Sequence, residues 1–94
     1  MQTRSIYKVP DGKLIKIFLK YKKHPDLIES INIAGDFFAY PEESIQQLEQ
    51  TLIGKPIKKT KLEQLITDFV DAHNVQFIGI SPQSLTEAVM RCPL

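Results

Sequence analysis

Along residues 5–35 apolar and polar positions alternate in steps of two, and from residue 41 onward apolar positions recur in steps of three and four. The first period belongs to strands with one covered face, the second to amphipathic helices. "SIYKVPDGKLIKIFLKY" predicts two strands around a tight turn. In that turn Val9-Pro10-Asp11-Gly12 supplies a proline with preset φ, an aspartate able to bond its own backbone, and a glycine for positive φ. The second strand carries Ile15, Ile17, Leu19 and Tyr21 on one face and Lys16 and Lys20 on the other, interrupted by Phe18.

After the polar turn "KKHPD", "LIESINIAG" predicts a third strand with Ile31 and Ile33 inward and Ser30 and Asn32 outward. Glu29 shares the parity of the isoleucines and is placed at the strand's exposed end. Gly35 ends the strand. Short connections favour a meander of neighbouring antiparallel strands.

Pro41 suits a first helical position, with Glu42 and Glu43 complementing the positive end of the helix dipole. Ile45, Leu48 and Leu52 form the apolar stripe, and Gly54 is a left-handed stop followed by Pro56. A second helix is predicted from the capping box Thr60-Lys61-Leu62-Glu63. Leu62, Leu65, Ile66, Phe69 and Val70 line one of its faces, and Asn74 closes it. "VQFIGI" is a short apolar bridge with extended character. Ser81 caps a third helix, with Pro82 behind it and Leu85, Ala88 and Val89 on its buried side. Strands followed by helices predict an α+β fold: one domain over residues 1–94, a three-stranded antiparallel sheet with about three helices packed on one face.

Between the third strand and the first helix stands "GDFF", Gly35 to Phe38. Asp36 is expected to bond backbone amides as the chain leaves the strand. Neighbouring residues in an extended chain point opposite ways, so one of Phe37 and Phe38 enters the core and the other faces out beside Tyr40. An outward aromatic pair is a docking anchor. The alternative packs both rings under the first helix.

Composition narrows the function. The chain is 43% hydrophobic and 24% charged with a net charge of +1, ordinary values for a globular domain that single out no anionic partner. Apolar runs are far short of the ~20 residues of a membrane span, and the N-terminus lacks an apolar signal core, so a cytoplasmic protein is expected. Opening at Met1 suggests a free-standing chain. The single cysteine, Cys92, allows no internal disulfide and lies in what is expected to be a frayed tail.

Candidate chemistry is sparse. His24, His73, Cys92, Asp68 and Asp71 do not form the compact pairs of a structural metal site, and His73 suits a helix C-terminus. No base is positioned for Cys92, the serines lack a nucleophile elbow, and "IGKPIKKT" lacks the earlier glycine of a phosphate loop. Lysines cluster at Lys20, Lys22 and Lys23 and again at Lys55, Lys58, Lys59 and Lys61. Without interleaved arginines and aromatics these are expected to be solvated loop lysines, and no nucleic-acid partner is expected. Lys13, directly after the turn, either reaches an anion held by a partner protein or is an ordinary strand-start lysine.

Three blocks together resemble the C-terminal accessory domain of lipoate-protein ligases: Lys8-Val9-Pro10-Asp11-Gly12-Lys13-Leu14, Ile33-Ala34-Gly35-Asp36-Phe37-Phe38, and Pro41-Glu42 with a helix ending in Leu52-Ile53-Gly54-Lys55-Pro56. "ISPQSLTEAV" is similar to that family's closing helix. One difference is Asp11, where many relatives carry the first glycine of a Gly-Gly pair. The resemblance implies a fold similar to the iron–sulfur scaffold and sulfur-acceptor proteins. It also implies an accessory role without chemistry of its own, supporting a catalytic subunit that makes lipoyl-adenylate and passes the lipoyl group to an acceptor-protein lysine. ATP, Mg and lipoate would belong to the assembled enzyme, with none bound by this chain alone. On this reading Lys13, Asp36, Phe37 and Phe38 form the functional face, with Lys13 closest to the nucleotide or lipoyl site. A nucleic-acid module using the lysine clusters and an iron–sulfur scaffold are the alternatives, the latter opposed by a single cysteine.

Overall fold

In the computed structural model, which describes residues 1–94, the central strand is β2 (Leu14–Lys22). It is flanked by β1 (Gln2–Lys8) and β3 (Leu27–Gly35) in an antiparallel meander of order β1-β2-β3. Ile15, Ile17, Leu19 and Tyr21 on β2 are all buried, and the register sets Ile17 opposite Ile33 and Leu19 opposite Ile31. Apolar side chains on one face of three paired strands make half a core, which needs a second layer.

Helices supply it. α1 (Ser44–Leu52) lies against β3, and α3 (Pro82–Met90) lies against β1 and β2. α2 (Lys59–His73) packs on the other two helices. Leu48, Leu52, Leu62, Ile66, Leu85 and Val89 join the strand isoleucines in one buried cluster. Each such side chain contributes roughly 1.5–3 kcal/mol by leaving water. The expected α+β architecture is therefore present, with all three helices on one side of the sheet.

Several local expectations differ from the structure. Glu29 is exposed near the start of β3, as expected, but as the third residue of the strand and through a bulge. The register shifts between Lys20 and Tyr21, so Ile28 pairs with Tyr21 and enters the core, while Glu29 is pushed outward in a bulge. Pro41 precedes α1 by a turn, in which the Ser44 amide donates to the Pro41 carbonyl at 3.0 Å. Tyr40 is still held in a strand ladder, so the chain must turn before it can coil. The Thr60 capping box does not form. α2 starts at Lys59 with Lys58 as an extended N-cap and no side-chain cap, which leaves Thr60 inside the helix. The linker is pinned at the start of β3 by the Leu27–Pro56 bridge and by the Ile57 amide, which donates to the Asp26 backbone carbonyl at 3.0 Å. The core-facing Leu62 then sets the helix phase.

Other signals form as expected. Asn74 closes α2 in the left-handed region, at φ 51°. Ser81 accepts from the Ser84 amide at 3.1 Å, and the Ser81 amide donates to Ser84 Oγ at 2.7 Å, a reciprocal cap ahead of Pro82. Cys92 is not in a frayed tail. Its thiol is buried against α3, where the Ala88 carbonyl also accepts from Ser5 Oγ of β1 at 2.6 Å.

Candidate docking face around Gly35 to Tyr40

The "VQFIGI" bridge and the residues after "GDFF" find each other. β4 (Phe38–Tyr40) and β5 (Gln76–Ile78) pair antiparallel as a small second sheet, with Phe38 opposite Ile78, Ala39 opposite Phe77 and Tyr40 opposite Gln76. Strand alternation then sorts the aromatics. Phe37 is half-buried against the core, whereas Phe38 and Tyr40 are 59% and 46% exposed on one face. Ile78, 45% exposed, stands directly across from Phe38. The alternative with both rings under the first helix is not what forms.

This small sheet is fastened to the start of β2. Asp36 Oδ1 accepts from the Leu14 amide at 2.7 Å, as expected of an aspartate leaving a strand. Beside it the Lys13 amide donates to the Gly79 carbonyl at 3.1 Å. Gly79 has φ 91°, and any side chain there would run into the stem of Lys13. Lys13 is thus laid over the end of β5, with its side chain exposed.

The turn before Lys13 is fixed from two sides. Lys8 Nζ donates to the Gly12 carbonyl at 2.5 Å and to the Val9 carbonyl at 3.3 Å. Positive φ is taken by Asp11, at 56°, and not by Gly12 as the turn composition suggests. Gly12 is needed for room instead, since a Cβ there would lie 2.8 Å from the Gly79 carbonyl. Aspartate tolerates the left-handed region, so Asp11 occupies it without a second glycine.

Lys13, Asp36 and Phe38 therefore come together at one end of the main sheet, with Phe37 behind them as packing. The result is an apolar ridge of Phe38, Tyr40 and Ile78 beside a lysine held at a backbone seam. Ile78 and Gly79 belong to this face and escaped sequence reasoning. The alternation in "VQFIGI" marks an extended segment, but nothing in it names Phe38–Tyr40 as its partner.

The chain matches, over residues 8–89, the family described as bacterial lipoate protein ligase C-terminus. It belongs to that family. Lipoate-protein ligase A subunit 2 of Thermoplasma acidophilum is 39% identical over 62 residues, a match spanning 66% of this chain and 63% of that relative. A solved structure from the same organism superposes with a TM-score of 0.75 at 34% identity, covering 95% of this chain and 94% of that one. It comes from a study of an archaeal lipoylation system, a bi-partite lipoate protein ligase and its E2 lipoyl domain. The motif blocks at Lys8–Leu14 and Ile33–Phe38, which carry the resemblance in sequence, are the segments that build the Lys13–Asp36–Phe38 seam of this ligase C-terminal domain.

The remaining candidate groups lie elsewhere in the domain. No three His, Cys, Asp or Glu side chains gather where they could hold a metal ion. No helix is long and apolar enough to cross a membrane. The His73 ring stacks on Phe69 at 4.4 Å near the end of α2. In the linker cluster Lys59 lies 4.0 Å from Glu87, while Lys58 and Lys61 are exposed. Burial pushes the Cys92 thiol up, with a hydrogen bond to Ser5 opposing, which keeps it protonated and unreactive.

Proposed function

We propose that this chain is the non-catalytic accessory subunit of a two-part lipoate-protein ligase, required with a catalytic subunit for activation of lipoate to lipoyl-adenylate. The observation that carries this is the near full-length likeness to a chain of the archaeal bi-partite ligase. The family match over residues 8–89 agrees with it. ATP, Mg and lipoate bind the catalytic subunit, and the lipoyl group passes from the adenylate to a lysine of an acceptor such as an E2 lipoyl domain. Cytoplasmic residence suits that chemistry.

The accessory role is positional. In adenylation the lipoate carboxylate attacks the α-phosphorus of ATP and pyrophosphate leaves, so negative charge must be held in place. Ordering reactants in a productive geometry lowers the barrier without new chemistry. The Phe38, Tyr40 and Ile78 ridge is the anchor that seats on the catalytic subunit. Lys13, laid across Gly79, presents its ammonium toward the nucleotide or lipoyl site, where a fixed cation stabilises developing charge. Asp36 and Phe37 hold the face in shape.

The test is lipoate-dependent ATP–pyrophosphate exchange by the catalytic subunit, with and without this chain. Exchange that rises steeply on mixing is expected. Equal exchange in both would remove the accessory role.

A further inference from the structure

The helices cover one face of the main sheet, and the other face is bare. At its centre Phe18 on β2 is paired with Arg4 on β1 and Asn32 on β3, and flanked along its own strand by Lys16 and Lys20. Ile6, opposite Lys16, is its diagonal neighbour. Ile6 and Phe18 are 66% and 48% exposed, and a shallow groove of about 400 Å³ runs past Phe18, Arg4 and Lys20.

Arg4, Lys16 and Lys20 are exposed and unpaired, since the chain's two ion pairs both use Glu87, with Lys59 and with Arg91. The acids near it stand at its two ends: Glu29 in the bulge beside the Lys20–Ser30 pair, and Asp36 beyond the Lys16–Ala34 row with its Oδ1 engaged by the Leu14 amide. A net charge of +1 therefore conceals a distinctly cationic sheet face.

An apolar centre inside a charged rim is the anatomy of a protein interface. A single-stranded nucleic acid would call for several stacking aromatics, and this face has Phe18 alone. The requirement for a second contact comes from size. A stable interface covers about 800 Å² on each partner, far more than the three side chains of the Phe38 ridge supply. Where a domain is tied to its enzyme by a linker, effective concentrations near millimolar make up the difference; a separate subunit has no such help.

Resting on the accessory-subunit reading, we infer that the bare face of Arg4, Ile6, Lys16, Phe18 and Lys20 is a second docking surface for the catalytic subunit, seated on an acidic patch there. Its row at Lys16 and Ala34 adjoins the seam where Leu14 meets Asp36, so one partner spans both surfaces. The two have separate jobs. The sheet face sets how tightly and how fast the subunits meet, because complementary charge acts chiefly on encounter and affinity. The Lys13 seam sets how fast the bound pair reacts.

The experiment titrates the catalytic subunit with wild-type chain, with the triple variant Arg4→Glu/Lys16→Glu/Lys20→Glu, and with Lys61→Glu as a control off the face, reading pyrophosphate exchange. The triple variant is expected to need roughly tenfold more chain or more for half-maximal exchange, reaching the wild-type rate at saturation. Added salt is expected to weaken the wild type and, by screening the repulsion the new glutamates create, to strengthen the triple Glu variant. Thermal melting checks that the variant is folded, and the triple glutamine variant, expected to shift by less, stands in if it is not.

Half-saturation at the wild-type concentration would overturn the inference, as would an equal shift from Lys61→Glu. So would loss of binding to a fluorescent single-stranded oligonucleotide with exchange unaltered, which would give the face to nucleic acid. If wild type gives no stimulation, the activation reading fails by itself. Calorimetric binding of the catalytic subunit then decides the face: binding lost in the triple variant upholds it, and equal or absent binding overturns it.

Discussion

Asp36 Oδ1 and the Leu14 amide, 22 residues apart in sequence, lie 2.7 Å apart and join the end of β3 to the start of β2. That bond holds the Phe38 ridge and Lys13 in one frame. Replacing Asp36 by Ala is expected to cost about 1 kcal/mol of stability, the usual worth of one such bond. Amide hydrogen exchange at Leu14 should quicken well before exchange in the β2 core does. Unchanged protection at Leu14 would count against the bond.

The two phenylalanines should separate cleanly. Phe37→Ala removes a half-buried ring and is expected to lower stability by about 1–3 kcal/mol, below the cost at a fully buried site. Phe38→Ala removes an exposed ring and should change stability by no more than about 0.5 kcal/mol. It should nonetheless weaken association with the catalytic subunit. Urea melts and a binding titration together read both effects, and a reversed pattern would reverse the assignment of the rings.

Lys13→Ala is expected to slow saturated pyrophosphate exchange at least severalfold while leaving the melting temperature near that of wild type. Gly79→Ala reaches the same lysine indirectly. It places a side chain at φ 91° and against the Lys13 stem, so it should lose both stability, by about 1–3 kcal/mol, and activation. Full activation by Lys13→Ala would remove the residue from the mechanism and leave the seam as packing alone.

Cys92 supplies a pH dependence. Its folded thiol holds its proton above the ordinary value of 9.0 because burial disfavours the thiolate. The unfolded chain releases that proton first, so between the two values the folded state binds more protons and stability falls as pH rises. Chemical denaturation from pH 8 to about 10 is expected to show this decline. Cys92→Ala should flatten it, though at a lower overall stability from the cavity left behind. An equally steep decline in Cys92→Ala would assign the effect to other groups.

Much of the fold was legible in the sequence because local rules and the core pointed the same way. Strict alternation placed Ile15, Ile17, Leu19 and Tyr21, and nothing in the tertiary structure had reason to move them. Asn74 and Ser81 acted as helix ends because their signals involve only neighbouring residues. Where a signal competed with a distant contact, the contact won. Thr60 lies inside α2 where the linker is tied to β3 through the Leu27–Pro56 bridge, and Glu29 is exposed because a bulge turns Ile28 into the core.

By itself, then, the sequence determined the α+β class, the inner face of the sheet, the placement of Asp36 as a backbone acceptor, and family membership through the "GDFF" and "KVPDGKL" blocks. These depend on periodicity, short-range bonding and motif spacing, all of which are written along the chain. Only the tertiary structure decided that Phe38 and not Phe37 is exposed, that Ile78 stands opposite it, and that Gly79 carries Lys13. Those facts depend on contacts between segments 40 residues apart, for Phe38 and Ile78, and 66 apart, for Lys13 and Gly79, and a three-residue strand such as β4 or β5 has too few side chains to specify its partner without the folded core that brings the two together.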